Sequence, residues 1–220
     1  QAVAALAFGT ESVPACDVIV GPGNRWVTAA KKLVYGQVGI DMLAGPSELV
    51  VLADDSADAA LIAADLLAQA EHDDDAVPTL VTSSSSVAAG VESELETQLR
   101  TLPTSQTARA ALRNGVCALA RTLDEAIECV SRLAPEHLEI MTREPRAVAG
   151  RIKHFGAVFL GPRSAEVLGD YGVGPNHVLP TGGTSRFTGG LSVLHFLRVR
   201  TWLEIGESPG AAAAALDAAC

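Results

Sequence analysis

The sequence predicts an α/β protein built from Rossmann-like, mostly parallel sheets with flanking helices. Short apolar strands alternate with helix-like segments along most of the chain, and turn-forming residues separate them. This alternation is typical of strand–helix–strand units, whose strands pair in parallel. With 220 residues, 48% of them apolar, the chain can bury a substantial core as one large domain or two small ones.

The strands are predicted where apolar runs end in turn-forming residues. In chain order these runs are 17–20, 49–52, 79–82, 116–119, 138–141 and 157–160. Helices are placed after small polar residues that can cap a first turn: Ser56 before a helix to about His72, and Thr122 before one to Leu133. The other predicted helices are 27–34, 107–113, 146–154, 211–220 and one that follows the serine run 83–86 and ends near Leu102.

The chain after Leu160 has a different composition. Residues 161–192 are rich in Gly, Pro, Ser and Thr and show little periodicity. A long irregular segment in a compact domain is more often functional than idle. For residues 194–205 the sequence then predicts an extended or helical arm.

Composition excludes several classes of protein. The net charge of −10 argues against a nucleic-acid surface, and no apolar run reaches the ~18 residues of a membrane span. The four cysteines lack a C-x-x-C spacing and fit a reducing compartment, so we expect a cytoplasmic protein without disulfides. The chain starts without Met inside an apolar segment, which indicates a cut end.

Two short motifs could carry acid–base or metal chemistry. Gln69 and His72 are three residues apart, which places both side chains on one face of the predicted helix, where His can bind a metal. The alternative is a helix end with a favourably placed His. Glu136-His137 follows a helix that Pro135 ends, and such a pair can divide acid and base work. The alternative is a surface dipeptide.

Three glycine-containing loops are further candidates. Residues 169–177 hold Asp170 and His177 among three glycines, which permit close approach of the backbone to a ligand. The loop 21–24 follows a strand and opens a helix, a geometry that can hold a phosphate, although it lacks the dinucleotide fingerprint. In the loop 44–48, Ser47 could donate to a ligand or cap a turn.

Together these segments resemble the histidinol dehydrogenase family. The resemblance covers nearly the whole chain in order, and its stretches are VIVGPGNRWVTAAKKLV (18–34), GIDMLAGPSELVVLAD (39–54), DLLAQAEHD (65–73), APEHLE (134–139), GAVFLG (156–161) and GDYGVGPNHVLPTGGTSRFTGGLS (169–192). It implies NAD-dependent oxidation of L-histidinol to L-histidine in two steps through the aldehyde, at a site with one zinc ion.

The resemblance also implies a role for each motif. Gln69, His72 and Asp170 would be zinc ligands, and Glu136 and His137 the acid–base pair. The substrate would be bound by these ligands together with Glu136, Ser47 and His177. Asn24 would contact NAD. A histidine in the tail of a partner subunit would complete the zinc site of a homodimer.

Family members are roughly twice as long, so the resemblance implies a fragment, inactive alone, whose sheets are incomplete. Residues 1–46 would close a second Rossmann-like domain, 47–191 would form most of the zinc- and substrate-binding domain, and 192–220 would begin a dimerisation arm. Two alternatives stay open. One is a related dehydrogenase of another amino alcohol, and the other is a truncated, non-catalytic homologue that binds a metal or a partner.

Overall fold

The structure is a computed structural model that describes residues 1–170, 174, 176–204 and 210–218. It confirms the α/β class with parallel sheets. The first part is a small unit in which α2 (Arg25–Val34) connects β1 (Val18–Ile19) to β2 (Gly39–Ile40), and the two strands pair in parallel. Helix α1 (Ala2–Phe8) packs on this unit.

The main sheet has five parallel strands, in the order β5-β4-β3-β6-β7. In chain order the strands are β3 (Glu48–Ala53), β4 (Val77–Thr82), β5 (Val116–Leu119), β6 (His137–Met141) and β7 (Ala157–Leu160). The chain moves outward from β3 to β5, then returns to add β6 on the other side of β3. This order is that of a doubly wound fold, and it makes the amino ends of β3 and β6 direct neighbours, with Leu49 opposite His137.

Helices cover both faces of this sheet. One face packs against α3 (Ala59–Ala70) and α4 (Ser85–Leu99), and the other against α6 (Leu123–Leu133) and α7 (Pro145–Ala149). The short α5 (Ser105–Ala111) packs against α3. Alternate residues of β3 and β6 face the two layers, and β3 is apolar after its first residue, as expected for a strand buried on both faces, whereas β6 also buries the polar His137 and Glu139.

Several predicted helix ends are wrong. Asp58 caps α3 by accepting from the Ala60 N–H, whereas Ser56 instead donates to Asp54 in a turn. Helix α3 ends at Ala70 and α7 at Ala149, both short of the predicted ends at 72 and 154. Thr122 caps α6 as predicted.

Two elements were not predicted, because neither offers a pattern to detect. Helix α1 has seven residues and no side-chain cap, and β2 has only two residues. The described residues among 161–192 are irregular as expected, apart from 3₁₀ helices at Glu166–Asp170 and Thr184–Arg186. A further 3₁₀ helix, Val193–Phe196, starts the arm, and α8 (Gly210–Asp217) forms the last described helix. No helix within the described residues is both long and apolar enough to cross a membrane.

Candidate active site

The Glu136-His137 pair lies where α6 meets β6, at the amino edge of the main sheet. Helix α6 ends at Leu133, and Ala134 turns the chain with a left-handed backbone (φ 51°, ψ 58°). That conformation costs a non-glycine residue about 1–2 kcal/mol. The Ser185 hydroxyl stabilises the turn by donating to the Ala134 carbonyl at 2.8 Å. Both Glu136 and His137 are buried.

Reciprocal hydrogen bonds join this pair to the start of β3. The Glu48 N–H donates to Glu136 Oε2 at 2.9 Å, and the Glu136 N–H donates to Glu48 Oε1 at 3.2 Å. The Ser47 hydroxyl also donates to Glu136 Oε2, at 2.9 Å. Ser47 therefore lies beside the acid–base pair, where its hydroxyl orients the carboxylate.

Glu48 is a site residue that the sequence analysis missed. Its carboxylate accepts from the Gly182 N–H at 3.0 Å as well as from Glu136, so it also fixes the irregular segment after β7. Burial raises the pKa of Glu48, and hydrogen bonds from the backbone of Gly182, Glu136 and Gly183 oppose that shift. The sequence signal that could have identified Glu48 is its position as the one acidic residue of β3, at the start of an otherwise apolar strand.

The surroundings of Glu136 give it an acidity suited to proton transfer near neutral pH. Burial raises the pKa of this carboxyl to about 7. The negative charges of Glu48 and Glu166 raise it further, whereas the hydrogen bonds from Glu48 and Ser47 lower it. A carboxyl with this pKa can both release and accept a proton at the pH of most cells.

His137 lies between three acidic residues from different parts of the chain. Its Nδ1 is 3.2 Å from the Glu48 carbonyl oxygen and 3.6 Å from Glu136 Oε2. Its Nε2 is 3.4 Å from Oε1 of Glu166, which starts the 3₁₀ helix Glu166–Asp170. The Phe159 ring of β7 packs beside the imidazole. Glu166 was also missed, because it lies in the segment without periodicity.

A second acidic pair is buried behind His137. Glu139 is two residues along β6 on the same face, and its side chain is completely buried. No N–H or O–H donor among the described residues reaches either of its oxygens. Burial raises the pKa of Glu139 to about 9. The charge of Asp65, on α3, and a hydrogen bond between the two carboxyl groups contribute to the same shift. Glu139 therefore stays protonated at neutral pH and donates to Asp65.

The predicted zinc ligands are only partly brought together by the described residues. Gln69 is buried on α3, and its Nε2 has no hydrogen-bond partner there. His72 lies beyond the end of α3 and is exposed, so the two do not share a helix. Asp170 ends a 3₁₀ helix that packs against α3, but its side chain lies outside the described part of the chain, as do residues 171–173 and 175.

His177 is exposed and belongs to the same irregular segment. Within the described ranges, no group of three or more His, Cys, Asp and Glu side chains is arranged to hold a metal ion. The donor types are nevertheless those that zinc accepts from nitrogen and oxygen ligands. These residue types therefore fit the ion in chemistry, whereas the unpartnered Nε2 of Gln69 is a hydrogen-bond donor that calls for an acceptor and not for a cation.

Asn24 lies apart from these residues, in the small N-terminal unit. Its side-chain oxygen accepts from the N–H groups of Trp26 and Val27 and caps α2. The neighbouring Gly21 N–H donates to Asp41, whose carboxylate also pairs with buried Lys31 at 2.6 Å. The backbone of the loop 21–24 therefore already binds a carboxylate of the protein, that of Asp41. The contact of Asn24 with NAD stays a prediction.

Comparison with known proteins gives a consistent result. The family model described as histidinol dehydrogenase matches residues 1–218. Curated histidinol dehydrogenases from Halalkalibacterium halodurans and Geobacillus kaustophilus are 56% and 57% identical over 199 and 209 residues, which cover 90% and 94% of this chain. The same alignments cover 47% and 49% of those proteins, so the chain spans about half the length of these relatives.

Solved structures agree with this assignment. A histidinol dehydrogenase from Elizabethkingia anophelis superposes with a TM-score of 0.85 at 40% identity, covering 89% of this chain and 45% of that one. An acetylating aldehyde dehydrogenase from Geobacillus thermoglucosidasius superposes with a TM-score of 0.54 at 14% identity, over 86% and 58% of the two chains. The second similarity is one of fold alone.

Proposed function

The chain belongs to the histidinol dehydrogenase family, and from that premise we propose that the complete protein oxidises L-histidinol to L-histidine, the last step of histidine biosynthesis. The proposed reaction has two successive NAD-dependent oxidations through the aldehyde histidinal. The observation that carries the proposal is the buried pair of Glu136 and His137, in which a carboxyl with a pKa of about 7 lies beside an imidazole. Such a pair can serve proton transfers in both steps.

We assign a different proton transfer to each member of the pair. In the first step His137 would take the hydroxyl proton of the alcohol as the carbinol carbon is oxidised. In the second step Glu136 would take a proton from water, and the resulting hydroxide would add to the aldehyde carbon to give the anion of the hydrate, from which the second hydride leaves. Ser47 and the Glu48 N–H support this role because both donate to Glu136 Oε2 and hold the other oxygen in place.

NAD, when bound, would accept the hydride released in each oxidation. Zinc, when bound, would hold the imidazole and amine of the substrate as ligands. Gln69, His72 and Asp170 would hold the ion, and their oxygen and nitrogen donor atoms support this assignment. His177 would contact the substrate and Asn24 the cofactor.

The proposed assembly is a homodimer in which a histidine from the tail of the partner subunit completes the zinc site. A cytoplasmic location is part of the same proposal. The free thiols of Cys16, Cys117 and Cys129 support it, because disulfides are rare in reducing compartments.

Replacing the carboxyl of Glu136 tests the proposed reaction. We expect Glu136→Gln in the complete protein to slow formation of L-histidine from histidinal by about 10²–10⁴-fold, the usual contribution of a general base. Oxidation of L-histidinol to the aldehyde should continue. NADH formation with each substrate, together with chromatography of the products, separates the two steps.

Glu144→Gln is the matched control, because Glu144 is exposed and makes no side-chain cap contact at the start of α7. Full turnover of histidinol by Glu136→Gln would contradict the role of Glu136. A complete protein that oxidised L-alaninol as fast as L-histidinol would instead favour the related amino-alcohol dehydrogenase.

A further inference from the structure

Glu166 is the acidic residue that faces the Nε2 atom of the His137 imidazole. It is the first residue of the 3₁₀ helix Glu166–Asp170, which follows β7, so it reaches His137 from a separate element. Its Oε1 lies 3.4 Å from His137 Nε2, and the two side chains are only 12% and 8% exposed. A charge in such a poorly hydrated position acts strongly on its neighbour.

The hydrogen bond at the other ring nitrogen, Nδ1, decides which nitrogen of neutral His137 carries the basic lone pair. Nδ1 is 3.2 Å from the backbone carbonyl of Glu48, and a carbonyl oxygen can only accept a hydrogen bond. We therefore assign the hydrogen of neutral His137 to Nδ1. Nε2 is then the atom that accepts a proton, and it is the atom that faces Glu166.

Other acidic groups lie near this site, but their protonation, their orientation or their position on the Nδ1 side of the ring separates them from Glu166. They are Glu136 and Glu139 on or beside β6, Glu48 on β3 and Asp65 on α3. Glu139 holds a proton at neutral pH and shares it with Asp65, and the Glu48 carboxylate is turned to the N–H groups of Glu136 and Gly182. Glu166 is thus the carboxyl that faces Nε2 itself.

We propose that Glu166 is a positioning residue for His137: the Glu166 carboxylate faces Nε2, stabilises the proton that Nε2 removes from the substrate, and then holds the imidazolium in place. This inference rests on the proposed function, because it assigns His137 the role of proton acceptor. The 3.4 Å separation exceeds the usual 2.7–3.2 Å of an N–H···O hydrogen bond. Glu166 therefore acts mainly through its charge.

The pH dependence of the complete enzyme tests this role. Glu166→Gln keeps the shape of the side chain and removes its charge, so the imidazolium form of His137 loses stabilisation. We expect the acidic limb of the kcat/KM profile for L-histidinol to move to lower pH by about one unit. We also expect the plateau to fall by about 10-fold, because the base becomes weaker.

Two matched variants separate charge from structure. Glu166→Asp keeps the charge and should restore the position of the acidic limb, whereas Glu144→Gln should leave the whole profile unchanged. A limb that stays in place in Glu166→Gln, or one that moves equally in Glu166→Asp, overturns the proposal.

A second measurement does not depend on turnover. The complete protein, labelled with ¹⁵N in its imidazole rings, gives the pKa of His137 directly, with His137→Asn identifying the signal. A lower pKa of His137 in Glu166→Gln supports the positioning role even if L-histidinol is not oxidised, and an unchanged pKa contradicts it. Failure of the wild-type protein to oxidise L-histidinol, in contrast, contradicts the proposed function alone.

Discussion

At the scale of single residues, the protein keeps the buried carboxyl of Glu139 neutral by pairing it with Asp65. Glu139 has no exposed surface, and Asp65 is the only group of the described residues that shares a proton with it. An ionised carboxylate in this position would lose its hydration without compensation. The pair therefore joins α3, the helix of Gln69, to β6, the strand of His137, by one shared proton.

This pair makes the stability of the protein depend on pH in a stated direction. The pKa of Glu139 is about 9 in the folded protein, well above the ordinary value of 4.5 for a hydrated glutamic acid. Between those values the folded state holds a proton that the unfolded state has released, so stability is complete below about pH 4.5 and falls as pH rises toward 9. Glu139→Gln cannot lose a proton, and its amide can still donate to Asp65.

We therefore expect the free energy of unfolding of Glu139→Gln to rise relative to wild type between pH 5 and 8. The expected change exceeds about 1.4 kcal/mol, the equivalent of one pKa unit. Urea unfolding of the complete protein at a series of pH values measures it, with Glu144→Gln as the exposed control. A difference that stays constant with pH would mean that Glu139 is ionised in the folded protein.

Sequence patterns identify some of these residues and not others. Glu136-His137 is detectable because Pro135 fixes its position after a helix, and Ser47 because it lies in a Gly-Pro loop. Glu48 contacts Glu136, which is 88 residues away, and Glu166 contacts His137 from a separate 3₁₀ helix. No local pattern encodes either contact. Glu139 left a usable signal, an acid inside the apolar run 138–141, but its partner on α3 was not predictable.

At the scale of elements, strands were easier to predict than helix ends. The predicted strands 116–119 and 157–160 match β5 and β7, since both are continuous apolar runs with sharp ends, although they are the edge strands of the sheet and β5 is mostly exposed. Helix α3 ended early because residues 71–75 are nearly all acidic and lie in exposed turns, although the apolar stripe reaches Gln69. Tertiary contacts, and not the stripe alone, decide where a helix ends.

Two glycines allow strands to start close to a neighbouring carbonyl, and they make a matched test. A Cβ at Gly156, just before β7, would lie 2.5 Å from the Glu136 carbonyl oxygen. A Cβ at Gly115, just before β5, would meet the Pro78 carbonyl oxygen in the same way, far along the sheet from the candidate site.

We expect Gly156→Ala and Gly115→Ala each to lower the free energy of unfolding by about 1–3 kcal/mol, as overpacking does. Gly156→Ala should also reduce kcat/KM by about 10²-fold, because it displaces the backbone of the acid–base pair. Denaturant unfolding and steady-state kinetics of the complete protein measure both effects. Equal losses of activity in the two variants would show that stability alone is responsible.

At the scale of the whole molecule, the described chain combines a sheet packed between two helical layers with an exposed segment, 199–203, that carries large apolar side chains. Val199, Trp202 and Leu203 are 95%, 87% and 88% exposed, next to the partly helical start of the arm. Soluble monomers rarely leave several large apolar side chains exposed on one segment. The domain boundaries at 46/47 and 191/192 stay predictions.

We expect the 220-residue chain, purified alone, to associate as its concentration rises and to show no turnover of L-histidinol. The physical reason is that association removes the apolar segment from water, at about 25 cal/mol per Å². Sedimentation velocity over a concentration series measures this association. The double variant Trp202→Ser/Leu203→Ser should reduce it, and Leu33→Ser, which changes one exposed side chain of α2, should not. A chain that stays monomeric throughout contradicts the prediction.

The reciprocal hydrogen bonds between Glu48 and Glu136 also bear on how the protein folds. They close a loop of 88 residues, which contains β4 and β5, so they form only after distant parts of the chain have met. A slip of one residue between β3 and β6 would turn every side chain of the slipped strand to the wrong layer. Until the correct register forms, Glu136 is an ordinary hydrated acid. The chemistry of the site is therefore acquired late in folding, in one cooperative event.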